Sequence, residues 1–139
     1  MPGPDLDFTD FVDVTQALQK QGRIDPARTY AMGGSAGGLL MGVVANDRPE
    51  LYRAIVADVP FVDALTSMSD ESIPLTASEY DEWGDPREPE EYAYMRAYSP
   101  YDQVRHQDYP DMLVMAGLYD SRVQYWEPVK CVAKLRAHR

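Results

Sequence analysis

The stretch Gly33-Gly34-Ser35-Ala36-Gly37 constrains the fold more than any other part of the chain. A serine held at a sharp turn between a strand and a helix is forced into a strained backbone region that crowds its neighbours, and flanking glycines relieve the crowding. The flanks fit that geometry. Residues 29–32 form a short apolar run suited to a strand, and residues 38–45 supply a helix. The positive end of such a helix would lie beneath Ser35, with the N–H of Ala36 free to hold a developing oxyanion. A glycine-rich turn of this kind also cradles phosphate, or simply lets a strand and a helix pack closely. The rest of the chain has to decide between these uses.

Phe11, Val14 and Leu18 recur at helical spacing, which predicts a helix from Asp10 to about Gln21, with Thr9 as its cap and Gly22 as its end. Residues 53–59 are a second buried strand, so strand, helix and strand make a parallel βαβ unit. Residues 60–107 carry prolines at 74, 86, 89 and 100 and little periodicity, and read as an irregular excursion that covers the sheet or shapes a site. Residues 112–117 give a third buried strand, and Trp126 to Leu135 a last helix. In parallel sheets the chemistry sits on loops beyond the carboxyl ends of strands. Ser35 and Asp120 both fall there.

Composition narrows the partners. A formal charge of −10 argues against nucleic acid, whose phosphates call for clustered Lys and Arg, and is compatible with cationic ligands. The plainer account of such a charge is solubility. The single cysteine, Cys131, has no partner for an internal disulfide and reads as a packed small residue. No run of 18 apolar residues exists to span a membrane, and residues 1–7 have no leader-like pattern, so a cytoplasmic location is the expectation.

Acyl transfer on such a sheet needs a serine, a histidine base and a carboxylate that orients the histidine, in the chain order serine, acid, histidine. Asp120 suits the acid, although an Asp after a strand also serves as a turn or cap residue. The two histidines, His106 and His138, do not fit the order: the first precedes Asp120 and the second closes the last helix. Between Asp70 and Glu91 nine acids accompany one base, Arg87, and most of them must form a solvated face.

Six segments taken together narrow the reading further: Gly33-Gly34-Ser35-Ala36-Gly37-Gly38, Asp58-Val59-Pro60-Phe61-Val62-Asp63, Asp70-Glu71-Ser72-Ile73-Pro74-Leu75-Thr76, Glu79-Tyr80-Asp81-Glu82-Trp83-Gly84, Tyr98-Ser99-Pro100-Tyr101-Asp102 and Gln124-Tyr125-Trp126-Glu127-Pro128. In this order they resemble the oligopeptidase B branch of the prolyl oligopeptidase family of serine peptidases, which cleaves peptides after Arg or Lys. The resemblance runs from Phe8 onward. It implies an α/β fold, a partial α/β-hydrolase domain with a parallel sheet and flanking helices over residues 1–139. It also implies Ser35 as nucleophile, Asp120 as triad acid and the N–H of Ala36 as an oxyanion donor. Glu79 and Asp81 would meet the basic P1 side chain, Phe61 would line its pocket and Arg122 would bind the substrate backbone. Trp83 reads as a core aromatic.

The expected substrate is a short basic peptide, with no cofactor, no metal and no membrane. The family's histidine lies a few tens of residues beyond the acid, past Arg139, and its upstream strands and β-propeller have no counterpart here. The chain is therefore expected to be an incomplete, inactive catalytic domain that self-associates through bare sheet edges. Two alternatives stay open: a fragment that binds basic peptides without cleaving them, and an esterase or peptidase of the same superfamily with no basic preference.

Overall fold

The computed structural model describes residues 5–74 and 76–139, so Leu75 of the third quoted segment and residues 1–4 lie outside the described residues. Three strands form the sheet: β1 (Tyr30–Gly34), β2 (Ala54–Asp58) and β3 (Asp111–Met115). They run parallel in the order β1-β2-β3, with Gly34 level with Asp58 and Asp58 level with Met115. All three carboxyl ends thus open on one edge, and the ladder continues one residue beyond it: Ser35 N–H donates to Asp58 O at 3.0 Å and Val59 N–H to Met115 O at 2.9 Å.

Among the described residues four helices run for two turns or more. They are α1 (Asp5–Lys20), α2 (Ala36–Asp47), α5 (Pro89–Tyr98) and α7 (Trp126–His138), and the shorter α3, α4 and α6 lie between α2 and β3. Helix α1 begins earlier than its apolar periodicity suggests, which puts Thr9 inside it rather than at its cap. Gly22 follows it at φ 67°, a left-handed position that glycine takes without strain.

Helix α2 is buried on nearly every side because it lies between two apolar layers. Met41, Val44 and Ala45 pack with Ala31, Ile55 and Ala57 of the sheet, while Leu39 and Val43 pack with Leu65, Met68, Trp83 and Met95 of the excursion. Burying side chains such as Leu39, Ile55 and Met95 stabilises the fold by about 1.5–3 kcal/mol each. Close packing explains two glycines of α2. A Cβ on Gly38 would lie 2.5 Å from Pro60 Cα, and one on Gly42 would lie 2.6 Å from Pro100 Cβ.

The excursion is mostly helical rather than irregular. It contains α3 (Ala64–Met68), α4 (Tyr80–Trp83), α5 and α6 (Pro100–Gln103), with prolines opening α5 and α6 at the first turn, where no backbone donor is lost. These pieces are too short to show a period, and α2 supplies the surface that holds them.

The strands differ from expectation on one face. Helices α2 and α7 cover the side carrying Ala31, Ile55, Ala57, Met112 and Val114. The opposite side is open, with Met32 70% exposed, Leu113 57% exposed, and Tyr30 and Met115 exposed beside them. Among the described residues no helix is long and apolar enough to cross a membrane.

Candidate active site

Ser35 stands where β1 turns into α2, at φ 53° and ψ −118°. Positive φ is uncommon for a serine and is enforced here by its surroundings. Gly33 makes the turn sterically feasible, since a Cβ there would come within 2.2 Å of Gly37 O. Gly37 is different: a Cβ on it would meet nothing within 4 Å. The crowding that the motif relieves is therefore at its first glycine. Ser35 itself is exposed, and Ala36 opens α2, where its N–H has no carbonyl one turn back to bond.

The carbonyl of Ser35 accepts from Gly38 N–H at 2.9 Å, from Leu39 N–H at 3.2 Å and from Phe61 N–H at 3.1 Å. The last bond fastens the segment leaving β2 to the serine turn. That segment passes through Val59 at φ 40°, an outlier for a β-branched residue, and delivers Phe61 beside Ser35.

An open cleft adjoins the serine turn. It is lined by Ser35, Ala36, Phe61, Glu79, Trp83 and Arg122, with Ser67, Met68 and Glu82 among the other walls. Phe61 and Trp83 set their rings 5.3 Å apart at 58°. Trp83 is buried as expected, yet its edge also borders the cleft, where its indole N–H donates to Glu79 Oε2 at 3.0 Å. This fixes one oxygen of Glu79 and leaves the other without a hydrogen bond among the described residues. Ser35, Ala36, Phe61, Glu79 and Arg122 are thus brought together. Asp81 is not: it is exposed on α4, and the neighbouring Glu82 borders the cleft instead.

Asp120 lies on the loop after β3. Its Oδ1 accepts from the N–H groups of Arg122 at 2.8 Å and Val123 at 3.0 Å. These two bonds hold its carboxyl below the usual carboxylate range, and they shape the turn that carries Arg122 and Val123 to the cleft. The histidines lie elsewhere. Arg139, next to His138, bonds Asp111 at the amino end of β3, and the rings of His106 and His138 lie against each other, tilted by 33° with centroids 4.5 Å apart. Both therefore sit at the opposite end of the sheet from Ser35.

Behind the cleft is a buried polar cluster whose role was not visible in the sequence. Glu127 of α7 is 1% exposed, its Oε2 accepts from Asp63 N–H at 3.0 Å and its Oε1 accepts from the Ser67 hydroxyl. Asp63 is fully buried with its Oδ2 2.5 Å from Lys130 Nζ. The available signal was spacing: Asp63 and Ser67 stand four apart, as do Glu127 and Cys131. Cys131 packs in the core, where burial pushes its thiol up to about 12. Among the described residues no cluster of His, Cys, Asp and Glu could hold a metal ion.

A serine on a strained strand-to-helix turn, an unpaired helix-start N–H beside it and an adjoining acidic cleft define an α/β-hydrolase site. Comparison with known proteins narrows the class. The pattern of the prolyl oligopeptidase family matches residues 4–139, and the chain belongs to that family. It is 58% identical over 129 residues to dipeptidyl aminopeptidase BI of Pseudoxanthomonas mexicana, covering 93% of this chain and 18% of that protein. It is 55% identical over 130 residues to protease 2 of Moraxella lacunata, covering 94% of this chain and 19% of that protein. The structure of oligopeptidase B from Leishmania major superposes with a TM-score of 0.92 at 50% identity, over 94% of this chain and 18% of that one. The chain thus spans about a fifth of the length of the relatives it matches.

Proposed function

We propose that this chain carries the nucleophile, the acid and the specificity cleft of a serine oligopeptidase that cleaves peptides after Arg or Lys. The observation that carries the proposal is that one cleft joins Ser35 and Ala36 to Phe61, Glu79 and Arg122. The guanidinium or ammonium of the substrate meets the Glu79 carboxylate in a charge-assisted bond, while Phe61 and Trp83 cover its aliphatic stem. Arg122 binds a backbone carbonyl of the substrate.

Ser35 Oγ attacks the scissile carbonyl carbon as its proton passes to a histidine base, and the tetrahedral oxyanion accepts from Ala36 N–H. Collapse returns the proton to the departing amine and leaves an acyl-serine, which water then hydrolyses by the same steps. Asp120 orients the base and stabilises its cation. The base is assigned to a histidine outside these residues, because His106 and His138 stand at the wrong end of the sheet; the 139 residues alone are accordingly inactive. A second reading, release of N-terminal dipeptides, is favoured by the 58% identity to a dipeptidyl aminopeptidase.

The test is hydrolysis of Arg-P1 and Leu-P1 chromogenic peptides by the chain extended through the histidine base, with Ser35→Ala and Glu79→Gln in the same extended chain. Arg selectivity that falls by about 10- to 100-fold in Glu79→Gln, and turnover abolished in Ser35→Ala, is the expected result. Equal turnover of both peptides would overturn the specificity. Cleavage of N-terminally blocked substrates separates internal cleavage from dipeptide release.

A further inference from the structure

The cleft's inner wall is held by a carboxyl group that the reaction does not touch. Ser67 borders the cleft, and its hydroxyl donates to Glu127, which lies buried behind it on α7. The same carboxyl accepts from the N–H of Asp63, two residues after Phe61. Helix α7 begins directly after the loop that carries Asp120 and Arg122. One buried side chain therefore joins the wall carrying Phe61 and Ser67 to the loop carrying the acid.

Resting on the basic-residue reading above, we infer that Glu127 is a positioning residue of this cleft: it holds the Ser67 wall from behind and adds a carboxylate to the field that a bound cation meets. The titratable or charged groups facing Glu127 are Asp63 before α3, which is paired with Lys130 of α7, and Cys131 of α7. Asp63 already uses the nearby ammonium, so among the described residues no cation pairs with Glu127. Burial raises its carboxyl to about 7, against the opposing pull of the Ser67 hydroxyl and the Asp63 N–H. Near neutral pH it passes between a neutral and a charged form, and the charged form favours a cation one side chain away.

The experiment is calorimetric titration of the full chain with benzamidine, and with neutral benzamide as control, from pH 6 to pH 8. Benzamidine affinity is expected to rise about three- to tenfold across this range as Glu127 ionises, with benzamide unchanged. Glu127→Gln keeps the shape and the Asp63 bond, and should flatten the benzamidine curve. Ser67→Ala removes a donor that lowers the Glu127 pKa, so the rise should move to higher pH without disappearing. This second variant reports on the coupling even if Glu127→Gln folds poorly.

Wild-type and Glu127→Gln curves that run parallel, while binding still depends on Glu79, would overturn the role of Glu127 and leave the basic cleft standing. Benzamidine binding that is absent, or indifferent to Glu79→Gln, would overturn both.

Discussion

Gly33 and Gly37, the outer glycines of the motif, should respond in opposite ways to the same methyl group. In Gly33→Ala the new Cβ would lie 2.2 Å from Gly37 O and 2.6 Å from Gly37 C, both backbone atoms in the first turn of α2. No rotamer change relieves such an overlap, so β1 and α2 must move apart at Ser35. Overpacking of this kind costs about 1–3 kcal/mol, with the upper end expected where backbone has to give. At about 3–5 °C per kcal/mol for a chain of this size, the melting temperature falls by roughly 10 °C. In Gly37→Ala the Cβ meets nothing within 4 Å, and alanine at the second helical position favours the helix by up to about 1 kcal/mol. Thermal melts followed by circular dichroism separate the two. A Gly33→Ala protein as stable as the parent, or a Gly37→Ala protein that falls as far as Gly33→Ala, would refute the steric account of the turn.

Two further outcomes follow from burial and exposure. The Glu127 carboxyl titrates near 7 when folded and near 4.5 when unfolded, so between those values the folded chain holds the extra proton and stability declines as pH rises. Urea melts from pH 5 to pH 8 should show that decline, at most about 1.4 kcal/mol per pH unit, and Glu127→Gln should abolish it. The open face of the sheet predicts association of the 139-residue chain. Leu113→Lys, at a 57% exposed site, should leave the melting temperature within about 2 °C and lower the sedimentation mass at high concentration; an unchanged mass would locate the contact elsewhere.

The serine turn and the parallel sheet were legible in the sequence because each rests on local chemistry: glycines at fixed spacing, and short apolar runs separated by breakers. The excursion was not. Helices α3, α4 and α6 span only four or five residues, and what holds them is α2, through contacts such as Leu39 with Leu65 and Gly42 with Pro100. No window of sequence contains both sides of those contacts. The cleft divided along the same line. Phe61, Glu79 and Arg122 came from motif resemblance, and the geometry gathers them, whereas Asp81 from the same motif faces solvent. Glu127 lay inside a quoted segment, but an acid in the first turn of a helix looks like an ordinary dipole partner until its burial is known.

The hydrogen bond from Phe61 N–H to the carbonyl of Ser35 bears on how such a site can diversify. It uses only main-chain atoms, so any residue except proline at position 61 can make it. The side chain there can change, and with it the shape of the cleft wall, while the serine turn keeps its anchor. Glu79 has similar freedom, being tied to the fold by one oxygen through Trp83. On the proposed function, new substrate preferences are therefore reachable by single substitutions that leave Ser35 where it is.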